Sequence, residues 1–462
     1  MATLLILVFV LGYLLIALEH NLHIDKAASA LVTGTLCWAI LVLGWSHAPD
    51  HLLGAFQEFL SGHGHVDHGL GLKVFFEHRL LHHMEEISSI LFFLMGAMTI
   101  VELVDAHNGF AVITDRITTR KKSRLLWIIG VLTFFFSAAL DNLTTSIVMI
   151  SLLRKLIADK PTRWLFAGAV IISANAGGAW SPIGDVTTTM LWIGGQLTTP
   201  VIVANLILPS IVCMVVPLTI MSLQMKGEVE RPDEKDAGKL ESVTTSGERN
   251  LIFVMGVSGL LFVPVFKTVT HLPPFMGMMM SLGVLWITTE ILHRSKSDQE
   301  RSKLGVVGVL RKIDSASVMF FLGILLAVGA LQEAGHLIAS AAWLQTTLGD
   351  VYLINLAIGL LSAIVDNVPL VAASMGMYEV TAPGTVDAWA GYFVQDGIFW
   401  QFLAYCAGTG GSALIIGSAA GVAVMGLEKI DFIWYVKRMS LLAIAGYLAG
   451  AAVYWLMFGM AV

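Results

Sequence analysis

Charge is what this sequence lacks. Of 462 residues, 13% are Asp, Glu, Lys or Arg, while 56% are hydrophobic and the mean hydropathy is +0.79. That balance excludes a soluble globular domain and a disordered chain, and leaves a polytopic membrane protein. Between Ile313 and Glu428 there is no lysine or arginine at all. Cysteine is nearly absent too: Cys37, Cys213 and Cys406 all lie in apolar segments, where small packing residues are the expectation and disulfide or redox chemistry is not. The net charge of −6 sums loops on two sides of a membrane and gives no case for nucleic acid as a partner. No nucleotide-binding loop and no nucleophile–base constellation is present, so neither an enzyme nor a cofactor is expected, and any transport would draw on an ion gradient.

Long apolar runs are what the sequence has. A helix needs about 20 residues to cross a bilayer core of roughly 30 Å. Runs of this kind occupy residues 2–18, 27–45, 87–104, 201–223, 250–266, 274–291, 316–332 and 434–459. The first has no basic leader and no clear cleavage site, and reads as a spanning helix. Four further stretches, 125–153, 164–200, 351–378 and 399–427, carry a polar or glycine-rich break near their centres.

Basic clusters at Arg116–Arg124, Arg154–Arg163, Lys226–Arg249, Arg294–Lys312 and Lys429–Arg438 belong in the cytoplasm by the positive-inside rule. The loops near 335–350 and 379–398, without lysine or arginine, belong outside. Stretch 125–153 is therefore flanked by basic loops at both ends and stretch 351–378 by acidic or neutral ones. Each enters and leaves on one face, as a re-entrant hairpin does. Arms of about 14 residues rise roughly 21 Å, enough to bring a tip near the midplane but not to span. The tips are "SAALDNLTTS" (137–146) and "SAIVDNVPLV" (362–371).

The pairing extends further. "FFLMGAMTIVELVDA" (92–106) is similar to "FFLGILLAVGALQEA" (320–334), and "ANAGGAWSPIG" (174–184) to "AGTGGSALIIG" (407–417), in the same order at offsets of 225 to 233 residues. Opposite loop charge makes the halves an inverted repeat, the architecture of many secondary transporters, whose sites lie at the repeat interface. The expected fold is all-α and polytopic, with two re-entrant hairpins and two broken transmembrane helices. Residues 1–84 form N-terminal helices and an external His-rich loop, 85–225 the first repeat, 226–249 a cytoplasmic linker and 250–462 the second repeat.

An unwound backbone at membrane depth is tolerated only where protein or a water-lined cavity satisfies it. Asp141, Asp185 and Asp366 are the only charged side chains in their stretches, and a carboxylate at the bilayer centre costs about 2.5–3.5 kcal/mol even on insertion scales. Carboxylates among amide, hydroxyl and carbonyl oxygens make a hard site suited to an alkali cation. The first-half set is Ser137, Asp141, Asn142, Thr144, Thr145, Asn175, Ser181, Asp185, Thr187 and Thr188; the second-half set is Ser362, Asp366, Asn367, Thr409, Ser412 and Ser418. Gly177, Gly178, Gly184, Gly410, Gly411 and Gly417 mark backbone breaks. Burial favours the protonated carboxyl and a bound cation favours the ionised one, so a carboxylate holds one or the other. A capping role for Asp141 and Asp366, and back-bonding for many Ser and Thr residues, can coexist with this.

Ten of fourteen histidines fall between His20 and His83, including "GHGHVDHG" (His63, His65, His68) and "EHRLLHHMEE" (His78, His82, His83). A solvated external loop is the preferred reading, with pH sensing second and a metal trap third. Glu102, Asp105, Glu333 and His336 sit near helix ends, where snorkelling is the default; Asp105 and Glu333, as repeat equivalents, suit the two entrances.

"SAALDNLTTSIVMISLL", "SANAGGAWSPIGDVTTTMLW" and "SAIVDNVPL" resemble the NhaD-type sodium/proton antiporters, within the superfamily that also holds arsenite permeases and sodium-coupled dicarboxylate carriers. The likeness runs from about residue 85 to the C-terminus. It implies export of Na+ or Li+ against protons in a bacterial inner membrane or plastid envelope, by a scaffold and a moving transport domain, often in a dimer. It also implies a cation seat at Asp141, Asn142, Asp366 and Asn367, with Asn175, Asp185, Thr187, Thr188 and Ser362 as matching polar positions. The second-half segment has no carboxylate equivalent to Asp185, so the half-sites are unequal. An anion carrier of the same superfamily, for carboxylates or arsenite, is the alternative, but the four broken stretches hold no Lys, Arg or His to meet an anion.

Overall fold

The computed structural model describes residues 2–17, 19–44, 49–63, 68–114, 117–232 and 244–460. The fold is all-α, and eight helices among the described residues are long and apolar enough to cross a membrane. They are Lys26–Gly44, Gly71–Ala106, Lys122–Leu140, Thr199–Gln224, Ser246–Thr270, Pro274–His293, Ser315–Glu333 and Phe432–Phe458. Seven coincide with runs expected from hydropathy. The first run forms Ala2–Ala17, a shorter apolar helix, and Lys122–Leu140 was expected only as a hairpin arm. With 19 residues, roughly 28 Å, that arm is long enough to cross by length alone.

The chain forms two compact units. The first comprises residues 1–91, 314–350 and 368–380. Its core is the packing of Lys26–Gly44 on Ser315–Glu333, where the helices approach so closely that a Cβ on Gly34 would strike the Gly323 carbonyl and one on Gly323 would strike Ala30. Trp38 Nε1 donates to the Leu326 carbonyl at 2.8 Å across the same contact.

In this unit the histidine-rich region departs from expectation. Of "GHGHVDHG", residues 64–67 lie outside the described residues. His78, His82 and His83 stand not in a loop but on the helix His68–Ala106. His83 is buried, and its Nε2 lies 2.9 Å from Glu333 Oε1. Arg79 closes a forked pair on the same carboxylate at 2.7 and 2.9 Å. Glu333 therefore does not snorkel at an entrance; its side chain is fully buried between Arg79 and His83. Asp105, its repeat equivalent, is exposed. His336–Leu348 is a helix where an external loop was expected.

The second unit comprises residues 92–313, 351–367 and 381–462. Its frame is Thr199–Gln224 against the C-terminal helix Leu441–Phe458, with Gly446 and Gly450 set beside Pro217 and the Pro209 carbonyl. Tyr405 donates to the Tyr447 carbonyl at 2.7 Å and secures Ile398–Gly410 to the frame.

The stretch 125–153 forms two helices, Lys122–Leu140 and Asn142–Leu156, with Asp141 alone between them. Both ends of this pair meet one segment: Lys122 and Arg120 bond to Gly227 and Val229, and Ala158 donates to Glu230 at 2.8 Å. A chain that starts and ends against the same four residues reverses at Asp141, whose φ of 75° is the left-handed backbone a tight reversal demands. The other stretches break as expected. Lys160–Ala179 gives way to Val186–Ile193, Ile398–Gly410 to Ala419–Glu428, and Val351–Leu361 to Asn367–Met377.

Candidate functional site

Two kinds of feature position the site: helix ends that need caps and glycines that let backbones touch. Asp141 caps Asn142–Leu156, accepting from the Thr144 amide at 2.9 Å and its hydroxyl at 2.8 Å. Asp185 caps Val186–Ile193, accepting from the Thr187 amide at 2.9 Å and its hydroxyl at 2.7 Å. Each carboxylate thus satisfies orphan amides and faces the positive end of a helix. Carboxylate oxygens carry more lone pairs than these bonds use.

The two caps are joined. Asn142 Nδ2 donates to Asp185 Oδ2 at 2.6 Å and to Asn175 Oδ1 at 3.0 Å. Asn175 Nδ2 then donates to Ser412 Oγ and Ser418 Oγ, both at 2.9 Å. One buried network therefore runs from the reversal at Asp141–Asn142, through both pieces of the broken helix of the first half, into the broken segment of the second. Ser137 donates to the Ala174 carbonyl and Ser181 to the Ala138 carbonyl, each at 2.5 Å, and these bind the reversal to the first break.

The glycines repeat the same backbone geometry in both halves. A Cβ on Gly177 would meet the Phe134 carbonyl, and one on Gly410 the Gly359 carbonyl. A Cβ on Gly178 would meet the Gly184 carbonyl, and one on Gly411 the Gly417 carbonyl. Gly184 and Gly417 in turn stand against the carbonyls of Ser137 and Ala363. The position after each second glycine is an N-cap of nearly identical conformation: Asp185 at φ −148°, ψ 143°, and Ser418 at φ −146°, ψ 153°. Ser418 is the counterpart of Asp185, a hydroxyl where the first half has a carboxylate.

Other expected residues are more dispersed. Ser362 donates to the Gly359 carbonyl at 2.8 Å, and Thr409 back-bonds to Tyr405 at 2.6 Å. Thr145 and Thr188 have fully buried hydroxyls without a hydrogen-bond partner among the described residues. Asp366 is half-buried and Asn367 buried, directly ahead of and at the start of Asn367–Met377.

Asp141 also lines a cavity of about 20 Å³ with Leu140, Ile183, Val186, Thr189 and Met278, large enough for one water-sized occupant. Thr189 was missed from sequence, although it completes the run Thr187–Thr188–Thr189. Asn355, which donates to the Phe399 carbonyl at 3.2 Å, and Tyr435, which donates to the Ser412 carbonyl at 2.9 Å, were missed as well. Each is a polar group in an apolar run, the same signal that marked Asp141.

Residues 13–393 match the family model described as a citrate transporter. "Sodium/proton antiporter 1" of Arabidopsis thaliana is 48% identical over 97% of this chain and 71% of its own length. "Sodium/proton antiporter 2" of the same plant is 44% identical over 97% of this chain and 98% of its own length. The "Na(+)/H(+) antiporter NhaD" of Vibrio cholerae is 30% identical over 98% of this chain and 91% of its own length. The chain belongs to this family, the sodium/proton antiporters of the NhaD type, within the wider group that the citrate-transporter model covers.

Proposed function

We propose that this membrane protein exchanges Na+ for H+, and that it does so at the buried network around Asp141, Asn142, Asn175 and Asp185, with Asp366 and Asn367 contributing from the second half. The observation that carries the site assignment is the bond between Asn142 and Asp185, which gathers two carboxylate caps and two amides into one hard-oxygen cluster. Such a cluster accepts a dehydrated alkali cation when its carboxylates are ionised and a proton when they are not, and that exclusivity couples the two fluxes. Lithium fits the same oxygens. Alternating exposure of the site, sodium leaving as protons enter, completes the cycle in a bacterial inner membrane or a plastid envelope, and a homodimer is part of this reading.

The citrate-transporter description of the family model raises the anion alternative. Against it, the four broken stretches contain no Lys, Arg or His, and the described polar atoms of the cluster belong to Asp, Asn, Ser and Thr. A tricarboxylate there would face carboxylates without a cationic partner.

Proton flux in inside-out vesicles, read with a pH dye during addition of NaCl, LiCl, KCl or citrate, tests the reading. A response to sodium and lithium alone, abolished in Asp141→Asn and in Asp366→Asn, is the expected outcome. No sodium response in energised vesicles overturns antiport, whereas sodium response undiminished in both variants overturns the site assignment.

A further inference from the structure

Beyond ion exchange, the end of the helix Pro274–His293 borders both an apolar groove and a charged cleft. The outer face of this helix is unpacked: Ile287 and Ile291 are 63% and 64% exposed. In a membrane that face is covered by lipid, so what remains to be decided is which lipid. Gly283, Trp286, Ile287 and Ile291 line an apolar groove of about 490 Å³ that ends at Glu290. Glu290 is also a wall of a polar cleft of about 270 Å³, whose other charged walls are Asp298 and Arg301 on the short helix Asp298–Leu304 and Arg311 at the end of the next, Val306–Leu310. Glu290 thus lines both, where an open apolar groove and a charged cleft adjoin.

The charges of the cleft discriminate among headgroups. Two guanidiniums suit a phosphate diester, with the forked donors that bind phosphate oxygens. Two carboxylates in the same cleft repel a headgroup that is only anionic, and favour one that also carries an ammonium. A trimethylated ammonium has no N–H to donate to them. Arg301 and Glu290 pair at 3.3 Å, but both are nearly half exposed, and such a pair contributes little and opens readily.

We propose that the groove and the cleft that share Glu290 together bind an amine-bearing phospholipid, its phosphate on Arg301 and Arg311, its ammonium on Glu290 and Asp298, and an acyl chain along Trp286, Ile287 and Ile291. From Gly283 to Ile291 the groove follows about 12 Å of helix, the reach of roughly half an acyl chain.

Delipidated full-length protein in detergent, given equal amounts of dioleoyl phosphatidylethanolamine, phosphatidylcholine and phosphatidylglycerol, is read by native mass spectrometry. Phosphatidylethanolamine is expected to be retained about fivefold over the other two, the discrimination available from an exposed charge pair. Arg311→Ala lowers the retention of all three lipids, since each carries the phosphate, and Asp298→Asn reduces the advantage of phosphatidylethanolamine over both of the others. Gly283→Leu fills the groove at a point where a Cβ meets nothing within 4 Å, so it blocks the chain in a folded protein. Equal retention of the three lipids overturns the proposal. So does preference for phosphatidylglycerol, or unchanged retention in Gly283→Leu.

Discussion

Asn142 Nδ2 stands 2.6 Å from Asp185 Oδ2, tying the reversal between two helices to a helix break 43 residues later. Both residues are buried, so the bond has no water to replace it.

Replacing Asn142 by alanine therefore leaves Asp185 Oδ2 and Asn175 Oδ1 short of a donor at once. Each unmet buried group costs about 1–3 kcal/mol. The variant is expected to melt several degrees lower in detergent and to need a higher sodium concentration for half-maximal proton flux. A wild-type melt together with a wild-type sodium response would show that the network does not organise the site.

Gly177 separates packing from flexibility. Alanine there drives a Cβ into the Phe134 carbonyl and is expected to prevent accumulation of folded protein. Gly426→Ala, where a Cβ meets nothing within 4 Å and the helix gains propensity, should be neutral or more stable by about 0.5–1 kcal/mol. Fluorescence-detected size exclusion compares the two directly.

Glu333 holds the Arg79 guanidinium and the His83 imidazole in the first unit. Glu333→Gln removes the charge and leaves Arg79 and His83 facing a neutral amide, a loss of about 3–5 kcal/mol for a buried pair broken on one side. The double change Glu333→Leu with Arg79→Met should recover part of that loss, since an apolar replacement of both partners removes the orphaned charge. Thermal melts of the three proteins are the measurement.

Asp159 caps Lys160–Ala179 from outside the membrane, and hydrogen bonds from Thr162 hold its carboxyl below the ordinary carboxylate range. A depressed pKa means that the contribution is complete above about pH 4 and is lost as the pH falls through the folded value. Asp159→Ala is expected to lower stability by about 0.5–1 kcal/mol at neutral pH. The difference should shrink as the pH falls through the lowered folded value. A difference that grows on acidification would contradict the cap.

Hydropathy alone located seven of the eight helices that, among the described residues, are long and apolar enough to span, because lipid leaves a segment no other way to satisfy its backbone. The breaks were legible for the converse reason: Asp141, Asp185 and Asp366 stand where charge is costly. Glu333 was misjudged because a carboxylate near a helix end has the same local sequence whether it reaches water or a buried arginine. The helical character of "EHRLLHHMEE" was obscured by its polarity, yet a signal was present. Leu72, Phe75, Phe76, His83, Ile87 and Ile90 are all buried, and their spacing is that of one helical face. The bond between Asn142 and Asp185 had no signature in the sequence, since nothing local to either residue names its partner.

Asp185 and Ser418 occupy equivalent caps with the same backbone, and differ by one ionisable group. Architecture and valence are therefore separable in this protein. The glycine crossings fix where the two half-helices meet, and the residue at each cap sets how much charge is held there. A change in the number of ions moved per cycle could arise from one side chain, with no helix displaced.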